Sequence, residues 1–338
     1  MVAAIKLMND KELKTTPTGR WISYRPEIKV LDCTIRDGGL MNNHKFADET
    51  VRSVYQACVD SSVDYMEIGY INSRDQFPPG QFGPWKHCLE SDIRRIVGNN
   101  ETPLKLAAMA DAEKCDYRQD ILPKSESVLD MIRVATYIHQ LPLALEMISD
   151  AHNKGYETSL NLMALSTIPD RELNEGLALA AQSETDVVCI VDSFGALYSE
   201  QIDSYMETFQ KFATEGNKAV GIHAHNNRQL AFANTIQGTI RGADRLDASM
   251  AGLGRGAGNC PIELLLSFLH NPKFRLRPAL ECIQNHIEPL RDELKWGFDY
   301  PYMMTGVLNQ HPRSGMEFNE STDRGNILKF YDSIEELD

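Results

Sequence analysis

The sequence predicts an α/β fold: a closed (β/α)8 TIM barrel with a helical C-terminal extension. Three observations carry this reading. Short apolar runs alternate with helical stretches eight times between residues 28 and 270, and alternation at that period calls for parallel strands joined by helices. Eight such units over roughly 240 residues match the size of a closed barrel. No glycine-rich nucleotide fingerprint follows an early strand, which removes the doubly wound open sheet.

The elements follow in order. Residues 1–26 read as an N-terminal extension, broken by Pro17, Gly19 and Pro26. Residues 28–34 form an apolar run suited to a buried strand. Residues 47–60 have helical spacing, with Val51, Val54, Tyr55, Cys58 and Val59 on one face. Strand two is expected over 64–69, followed by a long loop over 70–84 that contains Pro78, Pro79, Gly80 and Gly83. A loop of that length in a compact domain is often functional. Then come a helix over 85–97, strand three over 104–109 and a short helical or irregular crossing over 111–123. Strand four is placed at 128–134 and its helix at 139–154, with Pro142 near the helix start where it is tolerated. Strands five to eight are placed at 156–163, 186–191, 219–224 and 244–248. Their helices are placed at 171–181, 199–213, 229–240 and from Pro261 onward. The barrel is assigned to residues 27–270.

Residues 271–338 change character and read as the C-terminal extension. Residues 279–296 are amphipathic, with Leu280, Ile283, Ile287, Leu290 and Leu294 on one face. Residues 300–315 read as an irregular aromatic and polar segment, and the tail from Glu317 is acidic and loosely patterned. Such an extension would act as a lid or as a dimer or partner contact.

Composition narrows the function. The chain has 338 residues, 42% of them hydrophobic, and a formal net charge of −14. That charge opposes nucleic-acid binding. No apolar run approaches the ~18 residues of a membrane span, and the start of the chain lacks a signal peptide's apolar core and cleavage site. Seven widely spaced cysteines without a C-x-x-C pair point to a reducing, cytoplasmic setting rather than to disulfides or structural zinc.

In a barrel of this kind the chemistry sits at the C-terminal ends of the strands. The stretch GIHAHNNRQL at 221–230 holds His223 and His225, two residues apart on a strand and so on one face. Two imidazoles aimed at one spot suit a metal ion. Strand one runs into DCTIRDGG at 32–39, which carries Arg36 and Asp37. Strand two ends at Glu67, strand four near Arg133, and strand five carries Asn161. Strand six ends at Asp192 and Ser193, and the loop after strand eight, GLGRGAGN at 252–259, ends in Asn259. The fold directs all of them toward one mouth. Asp37, His223 and His225 supply mixed oxygen and nitrogen ligation that suits Mn2+, Mg2+, Zn2+ or Fe2+, and Asn259 could add a neutral oxygen. Asn161, Asp192 and Ser193 are the candidate substrate-binding groups beside Arg36.

DCTIRDGG, HAHNN at 223–227 and GLGRGAGN resemble, in order and spacing, three signatures of the DRE-TIM metallolyase superfamily. That group includes 4-hydroxy-2-oxovalerate aldolases, hydroxymethylglutaryl-CoA lyases and related synthases. The resemblance covers about residues 28–270. It implies Asp37, His223 and His225 as ligands of a divalent metal, Mn2+ or Mg2+ first and Zn2+ as an alternative, with Asn259 as a fourth. It implies Arg36 as the cation beside a developing enolate oxygen and Glu67 as the acid that organises Arg36. The implied reaction makes or breaks a carbon–carbon bond next to a 2-oxo acid, with an aldehyde as the other fragment. An acyl-CoA-dependent Claisen reaction and a weakly active subunit of an aldolase–dehydrogenase complex are the alternatives, and a homodimer or a dehydrogenase is the implied protein partner. One departure stands out. The aldolases carry a basic histidine three residues after the metal-binding aspartate, and this chain has Leu40 there. Tyr302 of the extension is the first substitute, with Tyr70, a metal-bound water or, more weakly, His44 behind it.

Overall fold

Residues 25–335 are described by a computed structural model; the N-terminal extension expected over 1–26 lies outside the described residues apart from its last two. Eight parallel strands close into one barrel in chain order. They are β1 (Lys29–Asp32), β2 (Tyr65–Tyr70), β3 (Lys105–Asp111), β4 (Met131–Thr136), β5 (Glu157–Leu162), β6 (Val187–Asp192), β7 (Ala219–Ala224) and β8 (Arg245–Ala248). Closure comes from β1 pairing with β8, Leu31 opposite Asp247 and Asp32 opposite Ala248. The TIM barrel read from the periodicity is the observed fold.

The strands are short and rich in Val, Ile and Ala, and nearly all of their residues are buried, as expected for strands covered on both faces. One face of each turns outward to the helices. Val30, Met66, Ile68, Leu106, Ala108, Ile132, Val134, Leu160, Ile190 and Ile222 belong to that main core. The other face fills the barrel. Leu31, Cys33, Tyr65, Ala107, Met131 and Val187 pack together inside it, and Tyr70, Met109 and Ala135 pack nearer the mouth with Leu40 and Met163.

The helices are α1 (Thr34–Gly38), α2 (Asp48–Asp60), α3 (Glu90–Val97), α4 (Tyr117–Asp120), α5 (Leu141–Asn153), α6 (Asp170–Ala181) and α7 (Ser199–Gly216), then α8 (Ala231–Ile240), α9 (Ile262–Phe268), α10 (Leu276–Cys282), α11 (Arg291–Leu294), α12 (Tyr300–Val307), α13 (Arg313–Glu320) and α14 (Ile327–Glu335). Three differ from the sequence reading. The single amphipathic helix expected over 279–296 is broken into α10, a π-turn at Ile283–Ile287, a 3-10 turn at Glu288–Leu290 and α11. Pro289 removes a helix donor and crowds the preceding turn. The segment at 300–315, expected to be irregular, contains α12, because the Asp299 carboxylate caps the Tyr300 N–H at 2.7 Å and Pro301 fits the first turn. The loosely patterned tail contains α14, whose Phe330 and Ile334 pack with Met304.

Asp32 gives the barrel a measurable signature. It is fully buried at the end of β1, accepting from the Thr34 N–H at 3.1 Å and from the Thr34 hydroxyl at 2.6 Å. Burial pushes its carboxyl up to about 7 against those hydrogen bonds. An acid whose folded value exceeds its unfolded one makes stability fall as pH rises between the two values. Asp32 is thus expected to lower stability by about 2–4 kcal/mol between pH 4 and pH 8. Chemical denaturation of Asp32→Asn against the parent chain at pH 5 and pH 8 checks this: the variant loses that part of the slope. Equal slopes in the two proteins refute it.

Candidate active site

Local conformation aims the first two groups. The stretch after β1 turns directly into α1, so Arg36 and Asp37 sit on one helical turn at the barrel mouth. Arg36 is 4% exposed and Asp37 1%. Arg36 donates through Nε to Glu67 Oε2 at 2.6 Å and through Nη1 to Asp37 Oδ1 at 2.6 Å. Glu67 lies beneath it on β2 and is shared with Arg133 of β4, whose Nη1 is 3.1 Å from Glu67 Oε2. Arg133 Nη2 in turn donates to Asp247 Oδ2 of β8 at 2.5 Å, and the same carboxylate oxygen accepts from His223 Nδ1 at 3.0 Å. An unbroken chain of buried polar groups therefore runs Asp37, Arg36, Glu67, Arg133, Asp247, His223 across the barrel interior.

This chain fixes charge states. Burial opposes ionisation of Asp37, but Arg36, His225, His223 and Arg255 outweigh it and hold the carboxyl well below the usual range. Burial likewise opposes charge on Arg36, and Glu67 and Asp37 override it. For Arg133 the same burial is overcome by Asp247 and Glu67. Asp247 also sets the tautomer of His223: with Nδ1–H bound to the carboxylate, the Nε2 lone pair is left free.

Asp37, His223 and His225 each place one donor atom within 4.8 Å of the others, and all three are buried. His223 Nε2 and His225 Nδ1 have no hydrogen-bond partner, although burial without a partner is costly. The two rings stand edge to face with centroids 5.0 Å apart, and His225 Nδ1 is 3.9 Å from Asp37 Oδ2. Burial, ahead of nearby cations, keeps the His225 ring deprotonated. Two orphaned imidazole nitrogens facing an ionised carboxylate are the donor set a divalent cation takes. Asn259 is adjacent: its Nδ2 donates to Asp37 Oδ2 at 2.8 Å and its Oδ1 has no partner. Gly254 explains the glycine-rich spelling of this loop, since a Cβ there would lie 2.4 Å from Asn259 Nδ2 and 2.5 Å from Asp37 Oδ2.

A small cavity opens over the donor set. It is lined by the donor set with Arg36 and by the polar groups of Tyr70, Tyr137, Asn161, Ser193, Arg255 and His311. Leu40, Met109, Ala135, Met163 and Val191 supply its apolar wall. Its empty space, counted out to the open mouth, is about 510 Å³.

Comparison with known proteins shows the family and agrees with the fold. The HMGL-like family model matches residues 27–286. The chain belongs to the HMGL-like family. A 4-hydroxy-2-oxovalerate aldolase of Thermus thermophilus is 30% identical over 85% of this chain and 84% of its own length. An oxaloacetate decarboxylase of Mycobacterium tuberculosis is 30% identical over 71% of this chain and 69% of its own. Among solved structures, the N-terminal domain of a provisionally named aldolase from Bacteroides vulgatus superposes with a TM-score of 0.73 at 26% identity, covering 89% of this chain and all of that one.

Within this HMGL-like site the sequence-derived residues separate into three groups. Arg36, Asp37, His223, His225 and Asn259 come together, with Glu67 supporting them from below. Asn161 and Ser193 line the same cavity, Asn161 accepting from the Ser159 hydroxyl at 2.9 Å and Ser193 from the Ala164 N–H at 2.9 Å.

The remaining expectations are corrected by position. Asp192 does not face the cavity; successive side chains alternate along a strand, so Val191 and Ser193 turn inward. Asp192 instead accepts the N–H groups of Ala196 and Leu197 at 2.9 and 3.2 Å and closes the loop after β6. Tyr302, the first substitute base, does not line the cavity. Its backbone carbonyl accepts from Asn227 Nδ2 at 3.0 Å and its ring packs near Gly256 and Gly315. His44 is also outside: it is 1% exposed, its ring edge meets Tyr70 at 5.2 Å, and it fills the space that a side chain at Gly39 would take. Tyr70 does line the cavity, and burial pushes its hydroxyl well above the usual phenol range.

Three groups were missed by the sequence reading: Asp247, Arg255 and His311. Asp247 sits one residue before the end of β8, inward-facing like His223, and that parity was the available signal. His311 arrives from the extension. Asn227 anchors α12 beside it, where a Cβ at Gly306 would come within 2.8 Å of Asn227 Cβ, and Asn309 Nδ2 donates to the Ser166 carbonyl at 3.2 Å. Nothing in the local spelling of residues 300–315 shows where the segment crosses the mouth.

Proposed function

We propose that this chain is a divalent-metal-dependent carbon–carbon lyase that cleaves or forms the bond between a pyruvate-type fragment and a carbonyl fragment. The observation that carries this is the buried Asp37, His223 and His225 donor set facing a cavity with room for a small 2-oxo acid, with Arg36 beside it. The named activities of the relatives, an aldolase and a decarboxylase of 2-oxo acids, support the same reaction class.

Asp37, His223 and His225 would hold the metal, with Asn259 beside them. A divalent metal supplies Lewis acidity toward the oxygens of a 2-oxo acid; manganese or magnesium suits a site completed by substrate oxygens, and zinc is the alternative. Arg36 is pre-oriented by Glu67 and Asp37 and provides a fixed positive charge for the enolate oxygen, so no reorganisation is needed as charge develops. Asn161 and Ser193 would line the space that the substrate occupies. The apolar wall limits water.

Cleavage of a 4-hydroxy-2-oxo acid requires that the hydroxyl proton leave. The C3–C4 electron pair then enters the 2-oxo fragment as its enolate, an aldehyde forms at C4, and the enolate takes a proton from water at C3. We assign the acceptor role to His311. It lines the cavity, with Arg255 Nη1 3.1 Å from Nε2 and the Arg313 N–H 3.1 Å from Nδ1; a neutral ring carries one N–H and accepts at only one nitrogen, so the hydroxyl proton would go to Nε2 once the guanidinium turns toward the substrate. Burial first, then Arg255 and Arg313, hold the ring down to about 3, so it is unprotonated at neutral pH. His311→Ala is expected to lower kcat for hydroxy-acid cleavage by roughly 10²–10⁴-fold with metal content unchanged. Decarboxylation of oxaloacetate, which removes no hydroxyl proton, should fall far less. Equal losses on both substrates would remove His311 from this role.

The overall reading is tested on the purified chain with Mn2+ and a panel of 2-oxo acids, following pyruvate release. No turnover on any member overturns it. Turnover that depends strictly on acetyl-CoA with release of free thiol would favour the Claisen alternative, and robust turnover by the isolated chain removes the weakly active subunit. All seven cysteines are unpaired, which supports a reducing, cytoplasmic setting. Among the described residues no helix is long and apolar enough to cross a membrane. A homodimer or a dehydrogenase partner would use the extension, where Phe298, Tyr300, Val307 and Leu328 are exposed.

A further inference from the structure

Three guanidinium groups sit at or beneath the cavity, and their surroundings differ. Arg36 meets Glu67 and Asp37. Arg133 meets Glu67 and Asp247. Each of these two is held between a pair of carboxylates. Arg255 has no such partner: no carboxylate of the described residues lies within the 4.0 Å ion-pair distance of its side chain. Its Nη2 donates to the Ser193 carbonyl at 2.7 Å, its Nη1 faces the neutral His311 ring, and its Nε is buried with no partner. Burial weakens its hold on its proton, and Asp37 only partly offsets this.

The position of this charge is informative. The Arg255 backbone N–H is 3.3 Å from Asp37 Oδ2, so the residue starts at the donor set. Its side chain then runs away from that set, toward the loop after β6 and the extension. The guanidinium therefore lies one arginine side chain beyond the place where the 2-oxo acid would be held. Apart from Arg36, Arg255, Asp37 and the histidines, the cavity's lining is uncharged, with Tyr70, Tyr137, Met163 and Val191 among it. A buried, partly hydrogen-bonded guanidinium with no carboxylate partner on the wall of a small cavity calls for an anion, and its planar donors fit a carboxylate.

We propose that Arg255 is a specificity-determining residue of this site, pairing with a second carboxylate on the fragment beyond the bond that breaks. This rests on the lyase reading above. The substrate class is then a short 2-oxo dicarboxylate: a five-carbon chain whose second carboxylate is attached to the cleaved carbon C4, or a four-carbon chain in which C4 is itself the carboxylate. A methyl-ended 4-hydroxy-2-oxo acid would leave the guanidinium desolvated and unpaired, and a site built to bind a polar group discriminates strongly against the analogue without it. For a five-carbon 4-hydroxy dicarboxylate, the same placement sets the C4 hydroxyl beside His311, because the hydroxyl and the carboxylate are on adjacent carbons. The arriving carboxylate would also draw Arg255 Nη1 away from His311 Nε2, which frees that nitrogen as the acceptor once substrate is bound.

The test compares kcat/KM of the metal-loaded full chain on 4-hydroxy-2-oxoglutarate, oxaloacetate and 4-hydroxy-2-oxopentanoate, for the parent, Arg255→Ala and Arg255→Lys. The parent should prefer the dicarboxylates by roughly 10- to 100-fold. Arg255→Ala should erase that ratio, and Arg255→Lys should restore part of it. A parent that favours the methyl-ended acid overturns the proposal whatever the variants do. So does an Arg255→Ala chain that loses activity on all three in equal proportion, since Arg255 would then hold the carboxylate common to them. Thermal unfolding and bound metal, measured on each variant, identify any that has misfolded, and for those the parent's preference decides. If the parent turns over none of the three, the lyase reading itself fails; activity confined to 4-hydroxy-2-oxopentanoate leaves that reading standing and removes only this inference.

Discussion

His223→Ala is expected to yield a folded chain that holds no stoichiometric divalent metal and cleaves 2-oxo acids at least roughly 10³-fold more slowly, several kcal/mol of transition-state stabilisation. The argument is geometric. Among the described residues Asp37, His223 and His225 are the His, Cys, Asp and Glu side chains whose donors converge within 4.8 Å, and removing one leaves two of them with Asn259 alongside. His223 is also the residue whose free nitrogen is fixed by Asp247, so its loss removes the best-oriented donor. The fold should survive, because His223 is at the mouth end of β7 and the barrel's apolar layers lie below it. Elemental analysis after dialysis, with circular dichroism as the check on folding, measures both halves. A dialysed variant that retains one equivalent of metal refutes the site. Asp247→Asn should have a weaker form of the same defect, an approximately 10- to 100-fold loss of metal affinity, because it removes the charge behind the ligand rather than the ligand.

Glu67→Gln is expected to destabilise the chain by about 3–5 kcal/mol, although the side chain keeps its size. Glu67 is fully buried and is the one carboxylate shared by Arg36 and Arg133, at 2.6 and 3.1 Å. Replacing it with a neutral amide leaves two guanidiniums in the barrel interior with one negative charge fewer, and breaking a buried ion pair from one side costs that much. At ~2 °C per kcal/mol for a chain of this length, unfolding should begin roughly 6–10 °C lower. Activity should drop as well, since Arg36 loses the partner that aims it. Calorimetry without added metal separates this effect from metal binding. A transition within 1 °C of the parent's would mean that the network can rearrange around an amide. The contrast with His223 is diagnostic: one substitution removes metal and spares the fold, and the other strains the fold before any ligand is added.

Much of the fold was legible because barrel strands announce themselves locally. Runs such as Val187–Asp192 and Ala219–Ala224 are apolar, short and evenly spaced, and the eightfold count leaves few topologies. Helix continuity was less legible: Pro289 was visible in the sequence, and the break it causes was outweighed by the amphipathic pattern on either side. Capping by Asp299 likewise created a helix where composition read as irregular.

The sequence by itself determined the barrel, the placement of Arg36 and Asp37 after β1, and the pairing of His223 and His225, because strand order and i, i+2 parity are local properties that survive without coordinates. Tertiary structure alone decided the rest. Asp247 and Arg133 acquire meaning only when β4 and β8 face each other across a closed barrel and share Glu67 and His223. Tyr302 and His311 are nine positions apart in one segment, and spacing could not say which would reach the mouth. The contact of Gly306 with Asn227 settles it by fixing where α12 lies, which turns Tyr302 into packing and carries His311 to Arg255. Side-chain convergence from elements distant in sequence depends on register and close packing, and neither is written in any single stretch of the chain.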